Sequence, residues 1–234
     1  MKPKSSHFFL LILFLLPFLI FWKNFLPGQL VMTSDANIAG FILTHDQLAQ
    51  GWEAHWSTSW WLGLSGSIPL LRLESVLNWL LPPVFYAKIS IPLFLAIGGL
   101  SAFALGRSVG FAKFVALVFA LGWELVGSSL TDIPGGHHSR QLMFGVLPLM
   151  YLGLWRASRT GSYCGVVLAA VAVATMMQAL ADSGAMQAIS GVCFFIWLSR
   201  QAWVRVRFWL QSALGVMLTL ALCAQLLFSM VPSL

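Results

Sequence analysis

Long apolar runs separated by short polar links make up most of this chain, and one extended polar stretch interrupts them. After the basic start Met1 to His7, the run Phe8 to Phe25 is apolar but for Lys23 and Asn24, long enough to cross a bilayer at about 1.5 Å per residue. No small-x-small cleavage site follows it, so it reads as a retained first helix rather than a signal peptide. Residues 27–88 then form a long loop with two amphipathic segments. Asn37 to Gln50 places Ile38, Phe41, Ile42 and Leu48 at helical spacing, and Pro69 to Leu81 does the same with Leu70, Leu71, Leu73, Val76, Leu77 and Leu80. Both are too short and too polar to cross, which predicts surface helices; Trp52 to Ser67, rich in Trp, Gly and Ser, joins them. Six further runs follow: Ile89 to Gly106, Ala112 to Leu130, Leu142 to Trp155, Tyr163 to Ala181, Gly184 to Ser199 and Phe208 to Met230. The expected fold is an all-α polytopic membrane protein with about seven transmembrane helices and two amphipathic surface helices in a long first outer loop. It is a single transmembrane domain over 1–234, with a first span in 1–26, the loop in 27–88 and six spans in 89–230.

Composition agrees with that pattern. Hydrophobic residues make up 59% and charged residues 9%, against roughly 25% charged in soluble domains. Eleven tryptophans fit a chain that meets the boundary between hydrocarbon and water. The net charge of +6 reads as topology signal rather than nucleic-acid binding, because the cations mark span ends. With the N-terminus in the cytoplasm, nine cations fall inside (Lys2, Lys4, Arg107, Lys113, Arg156, Arg159, Arg200, Arg205 and Arg207) and four outside (Lys23, Arg72, Lys88 and Arg140). This asymmetry sets the orientation in a plasma membrane, with the C-terminus outside. All seven acids then lie in outer loops or toward the outer ends of spans. Cys164, Cys193 and Cys223 show neither CxxC nor Cys/His spacing, so no disulfide or zinc site is indicated.

Candidate chemistry therefore gathers outside. Asp35 follows the first span directly in Thr33-Ser34-Asp35-Ala36-Asn37, where it serves either as a helix N-cap or as a reactive carboxylate. The link Leu130 to Gln141 carries Asp132, His137, His138 and Arg140. Glu124, Ser128, Gln178 and Gln187 carry polarity down into the helices, and an ionisable group within a span is a functional candidate by default. Each has a plainer reading. Asp46, Glu53 and Glu74 suit a solvated helix face, and Trp52, Trp56, Trp60, Trp61 and Trp79 suit interface anchors, with Trp56 the candidate to stack on a sugar. Glu124 pairs equally well with Arg140 or a histidine across the bundle. His137 and His138 are adjacent and lack a third ligand at metal spacing.

The two stretches Gly51-Trp52-Glu53-Ala54-His55-Trp56-Ser57-Thr58-Ser59-Trp60, running on to Gly66 and Pro69, and Gly136-His137-His138-Ser139-Arg140, leading into Leu147-Pro148-Leu149, carry a family likeness. Together with the first helix, the acid just beyond it and the long outer loop, they resemble the GT-C superfamily of membrane glycosyltransferases, which use polyprenyl-phosphate-linked sugars. The resemblance implies that Asp35 is the outer-loop carboxylate acting as general base or helping to hold a divalent cation. It implies that Asp132 is a second acid and that His137, His138 and Arg140 meet the lipid phosphate. Members of that superfamily usually continue for several more spans, so this chain matches the shared core module, with a partner subunit as one way to complete the fold.

The implied function is transfer of a sugar from a polyprenyl-phosphate donor to an acceptor hydroxyl at the outer face. Asp35 and Asp132 are the expected catalytic residues, and His137, His138, Arg140, Glu124 and Trp56 the expected substrate contacts. Such a reaction needs a base for the acceptor hydroxyl and a cation for the departing phosphate, and Arg140 suits the second task. The expected partners are membrane lipid and the lipid-linked sugar, with no nucleic acid and no nucleotide motif. The alternative is a non-catalytic membrane subunit or lipid-binding scaffold. A transporter is disfavoured because the inner halves of the spans offer few polar residues to continue a path.

Overall fold

The apolar runs fold as helices, the conformation that pairs most backbone N–H groups with carbonyls of the same run. The computed structural model describes residues 4–30, 41–42, 45–46, 73–126, 138–179, 181–199 and 206–230. Among them are eight α-helices and no strands: α1 (Lys4–Ile20), α2 (Leu73–Leu80), α3 (Pro83–Val109), α4 (Lys113–Glu124), α5 (His138–Thr160), α6 (Tyr163–Ala179), α7 (Ala181–Ser199) and α8 (Val206–Met230). A 3₁₀ turn, Trp22–Phe25, follows α1. All seven apolar runs become helices, and α3 is long and apolar enough to cross a membrane.

Two boundaries depart from the expected ones in ways that matter. The helix α4 within the run from Ala112 ends at Glu124, with Leu125 leaving helical geometry while its N–H still reaches Leu121. In the other direction, α5 starts at His138 rather than Leu142. His138 and Arg140 therefore sit in the first turn of a helix and not in a link.

Three helices form the spine. α5 lies between α3 and α6; α1 and α4 pack against α3, α7 against α5 and α6, and α8 against α6. One apolar core joins the spine through Phe94, Leu142, Val146, Met150, Ala172 and Met176. A second joins Leu13 of α1, Ala102 and Phe103 of α3, and Ala116, Leu117 and Ala120 of α4. Reversals are tight. Gly110, at φ +106°, ends α3 in the left-handed region where a side chain is disfavoured, and its N–H returns to Gly106 and Arg107 carbonyls.

Prolines inside helices explain two of the cross-helix hydrogen bonds. A proline lacks the N–H that would bond the carbonyl four residues earlier. In α3, Pro92 leaves the Lys88 carbonyl open, and the Asn24 side-chain amide donates to it at 2.7 Å. In α5, Pro148 leaves the Phe144 carbonyl open, and the Trp123 indole N–H donates to it at 3.1 Å. Trp123→Phe should destabilise the fold by about 1–3 kcal/mol, the cost of an unsatisfied buried acceptor. In a Pro148→Ala background, where the helix supplies its own N–H, that cost should shrink. A double-mutant cycle on thermal unfolding checks this, and equal costs in both backgrounds would refute it.

The surface helix α2 has an unexpected polarity. Its buried residues are Ser75 and Asn78, whereas Trp79 and Leu80 are exposed. Asn78 faces inward because it is a hydrogen-bond hub: its amide donates to the Phe41 carbonyl at 3.0 Å, and its own carbonyl meets His45 Nδ1 at 2.6 Å.

Candidate functional site

Two clusters of polar groups stand out among the described residues. The first is the end of the molecule where α1 stops, α2 lies and α3 begins. Asn24, almost fully buried, caps the Lys88 carbonyl, while the Lys88 ammonium donates to the Leu26 carbonyl at 2.9 Å. Residues 41–42 and 45–46 are helical, in keeping with the amphipathic segment expected there. They dock on the same end: Phe41 stacks edge-on against Tyr86 with ring centroids 5.3 Å apart, and His45 and Phe41 both bond to Asn78. Leu26 and Phe41 are thus both held near the first two turns of α3. Asp35 falls between them in sequence.

The second lies inside the bundle. Glu124 is 1% exposed, and neither carboxylate oxygen has a hydrogen-bond partner among the described residues. Its side chain occupies the space a β-carbon would take at Gly99, so a larger residue there would have to displace the Glu124 side chain. Beside it, Trp123 packs against Gly98, and Gly98 meets Gly145 of α5. Gly99 is sixteen residues from Pro83, or about 24 Å along the α3 axis. Gln141, in the first turn of α5, is also buried.

A carboxyl sealed away from water without a donor is a net cost to folding. Glu124→Met should therefore raise stability by about 1–3 kcal/mol, since an apolar side chain of similar volume removes that cost. Thermal unfolding in detergent reads this directly, and a lower melting temperature would count against the isolation of the acid.

Of the remaining expected site residues, Arg140 is half-buried in the first turn of α5, and His138 occupies the first position of that helix. Asp35, Trp56, Asp132 and His137 lie outside the described residues, as do Glu53 and His55. Asp46 is exposed, in keeping with a solvated face. Gln178 does not extend a polar path: its amide donates to the Leu222 carbonyl of α8 at 2.6 Å and ties α6 to α8. No group of three or more His, Cys, Asp or Glu that could hold a metal ion occurs among the described residues. Sequence reasoning passed over Asn24, Asn78 and Trp123. For Asn24 and Trp123 a signal existed, since Pro92 and Pro148 each announce an open carbonyl that needs a donor from elsewhere.

No family model, curated protein or solved structure matches this chain.

Proposed function

We propose that the chain is a polytopic membrane protein whose outer end transfers a sugar from a polyprenyl phosphate to an acceptor hydroxyl. Support for the membrane part comes from the outsides of the helices. Phe8, Leu19, Phe114, Val171, Ile189 and Met217 are all exposed, and large apolar side chains turned outward on five helices are costly in water and favourable in lipid. The apolar α3, at 27 residues, exceeds the roughly 20 needed to span. The other runs complete the seven spans, with the N-terminus cytoplasmic by the charge asymmetry.

One observation carries the transfer reading: Leu26 and Phe41, which flank Asp35 in sequence, both meet the start of α3, through Lys88 and Tyr86. A general base must be held in place to act on a hydroxyl, and these two anchors bracket Asp35 in sequence. Arg140, in the opening turn of α5, has the charge and the helix-terminus setting that favour a phosphate. Asp132, His137 and His138 precede or begin that same turn in sequence, and Trp56 supplies a face for a sugar ring. In the reaction, the bond between the anomeric carbon and the phosphate oxygen breaks as the acceptor oxygen bonds to that carbon. Asp35 takes the acceptor proton and the polyprenyl phosphate leaves with the electron pair. The configuration at the carbon inverts.

Purified protein in vesicles, given a polyprenyl-phosphate sugar and a hydroxyl acceptor, should release polyprenyl phosphate and form the glycoside. Protein that neither co-purifies with such a lipid nor turns it over removes the transfer reading and leaves the non-catalytic scaffold.

A further inference from the structure

Glu124 has no task in the transfer chemistry, yet its surroundings are specific. An ionised carboxylate accepts hydrogen bonds and donates none, and neither Glu124 oxygen has a hydrogen-bond partner among the described residues. The neighbouring donors are committed elsewhere. The Trp123 indole N–H is taken by the Phe144 carbonyl, and the Ser101 hydroxyl, two residues from Gly99, by the Ile97 carbonyl.

No cation stands in for the missing donor. The helix α4 packs against α3 and α1 and reaches α5 through Trp123. The α3 cations Lys88 and Arg107 are eleven and eight residues from Gly99, about 16 and 12 Å along the axis. Lys113 is eleven residues back on α4 itself, and α1 brings only Lys4 and His7, in its first turn. On α5, His138 and Arg140 lie in the opening turn and Arg156 and Arg159 near the far end, and none of them bonds to Glu124. A metal ion takes several ligands, and the described residues gather no three of His, Cys, Asp or Glu. A proton needs only the one carboxyl.

We infer that Glu124 is a proton-binding site inside the bundle, held as the neutral acid in a socket at Gly99. In that form one oxygen becomes a donor. Glycine at position 99 leaves the α3 backbone, whose carbonyls keep a second lone pair, open to the carboxyl that fills the place of its β-carbon. A carboxylate in the same place is a buried charge without a partner, so the bound proton is what keeps the end of α4 seated on α3. The inference rests on packing within the chain, and its failure would leave the transfer reading as it was.

The test is infrared spectroscopy of the full chain at neutral pH, in a maltoside detergent that has no ester carbonyl of its own. Protein grown with carboxyl-labelled ¹³C-glutamate should show an isotope-shifted C=O stretch of a neutral carboxylic acid. The chain has three glutamates, Glu53, Glu74 and Glu124. Glu124→Gln should lose that band completely, whereas Glu53→Gln and Glu74→Gln should keep it. Because its amide copies the neutral acid in shape, Glu124→Gln should also fold and melt at the wild-type temperature or above. Gly99→Ala fills the socket and should shift the band as the carboxyl moves to new surroundings. A wild-type spectrum with glutamate carboxylate bands alone overturns the inference without recourse to any variant. A neutral-acid band that survives Glu124→Gln overturns it too, and so does a Glu124→Gln chain that fails to fold, since the fold would then require the charge. An unshifted band in Gly99→Ala removes the socket.

Discussion

Gly165→Leu should prevent α5 and α6 from packing, so that the protein is recovered as aggregate or unfolded material in size-exclusion chromatography and shows no cooperative melt. A β-carbon at Gly165 would lie 2.8 Å from the Ala157 backbone nitrogen and 2.8 Å from the Gly153 carbonyl oxygen. The fault is reciprocal, because a β-carbon at Gly153 would lie 2.6 Å from the Ala169 nitrogen and 2.7 Å from the Gly165 oxygen. At both positions the obstacle is backbone, which cannot rotate aside as a side chain can. Overpacking a core usually costs about 1–3 kcal/mol, and a contact that must push two helices of the spine apart belongs to the exceptional class above about 4 kcal/mol. Small residues are what allow such close approach between apolar helices. Gly122→Ala is the control, since a β-carbon there meets nothing within 4 Å and the change should alter stability by less than about 1 kcal/mol. A folded, cooperative Gly165→Leu protein would show that α5 and α6 do not cross where described.

Asp35→Asn should lower transfer by about 10²–10⁴-fold, the range that a positioned general base contributes, while leaving membrane insertion and the melting temperature unchanged. The amide keeps the size of the side chain and its capacity to cap a helix, so an N-cap role predicts no loss. What it removes is the capacity to accept a proton from the acceptor hydroxyl. The decisive comparison is therefore the rate of polyprenyl phosphate release against thermal stability in the same preparation. A variant that transfers at the wild-type rate eliminates Asp35 as the base, and one that is slow because it melts early assigns it to structure.

Much of the helix plan is legible in the sequence, and the reasons for the remainder are physical. The apolar run from Ile89 announces α3, and the leucines from Leu70 to Leu80 announce α2, because period and length are local properties of the chain. The end of α4 at Glu124 is not local. The run through Leu130 is apolar enough to continue, and nothing in the pattern marks Leu125 as the exit. Likewise the polar face of α2 turns inward because Asn78 bonds to Phe41 and His45, partners more than thirty residues away. For the candidate site, Glu124 stands out as an acid in an apolar run, but its seat against Gly99 depends on how α3 crosses α4. Only the start of α5 at His138 could have been read directly, from the Ser139, Arg140 and Gln141 that open its first turn.

The two proline-opened carbonyls have a consequence for biogenesis. In each case the donor is made first: Asn24 precedes Pro92 in the chain, and Trp123 precedes Pro148. During vectorial synthesis, each proline-interrupted helix therefore emerges after the group that satisfies its open acceptor, and the nascent chain has no need to wait for a downstream segment to supply either donor.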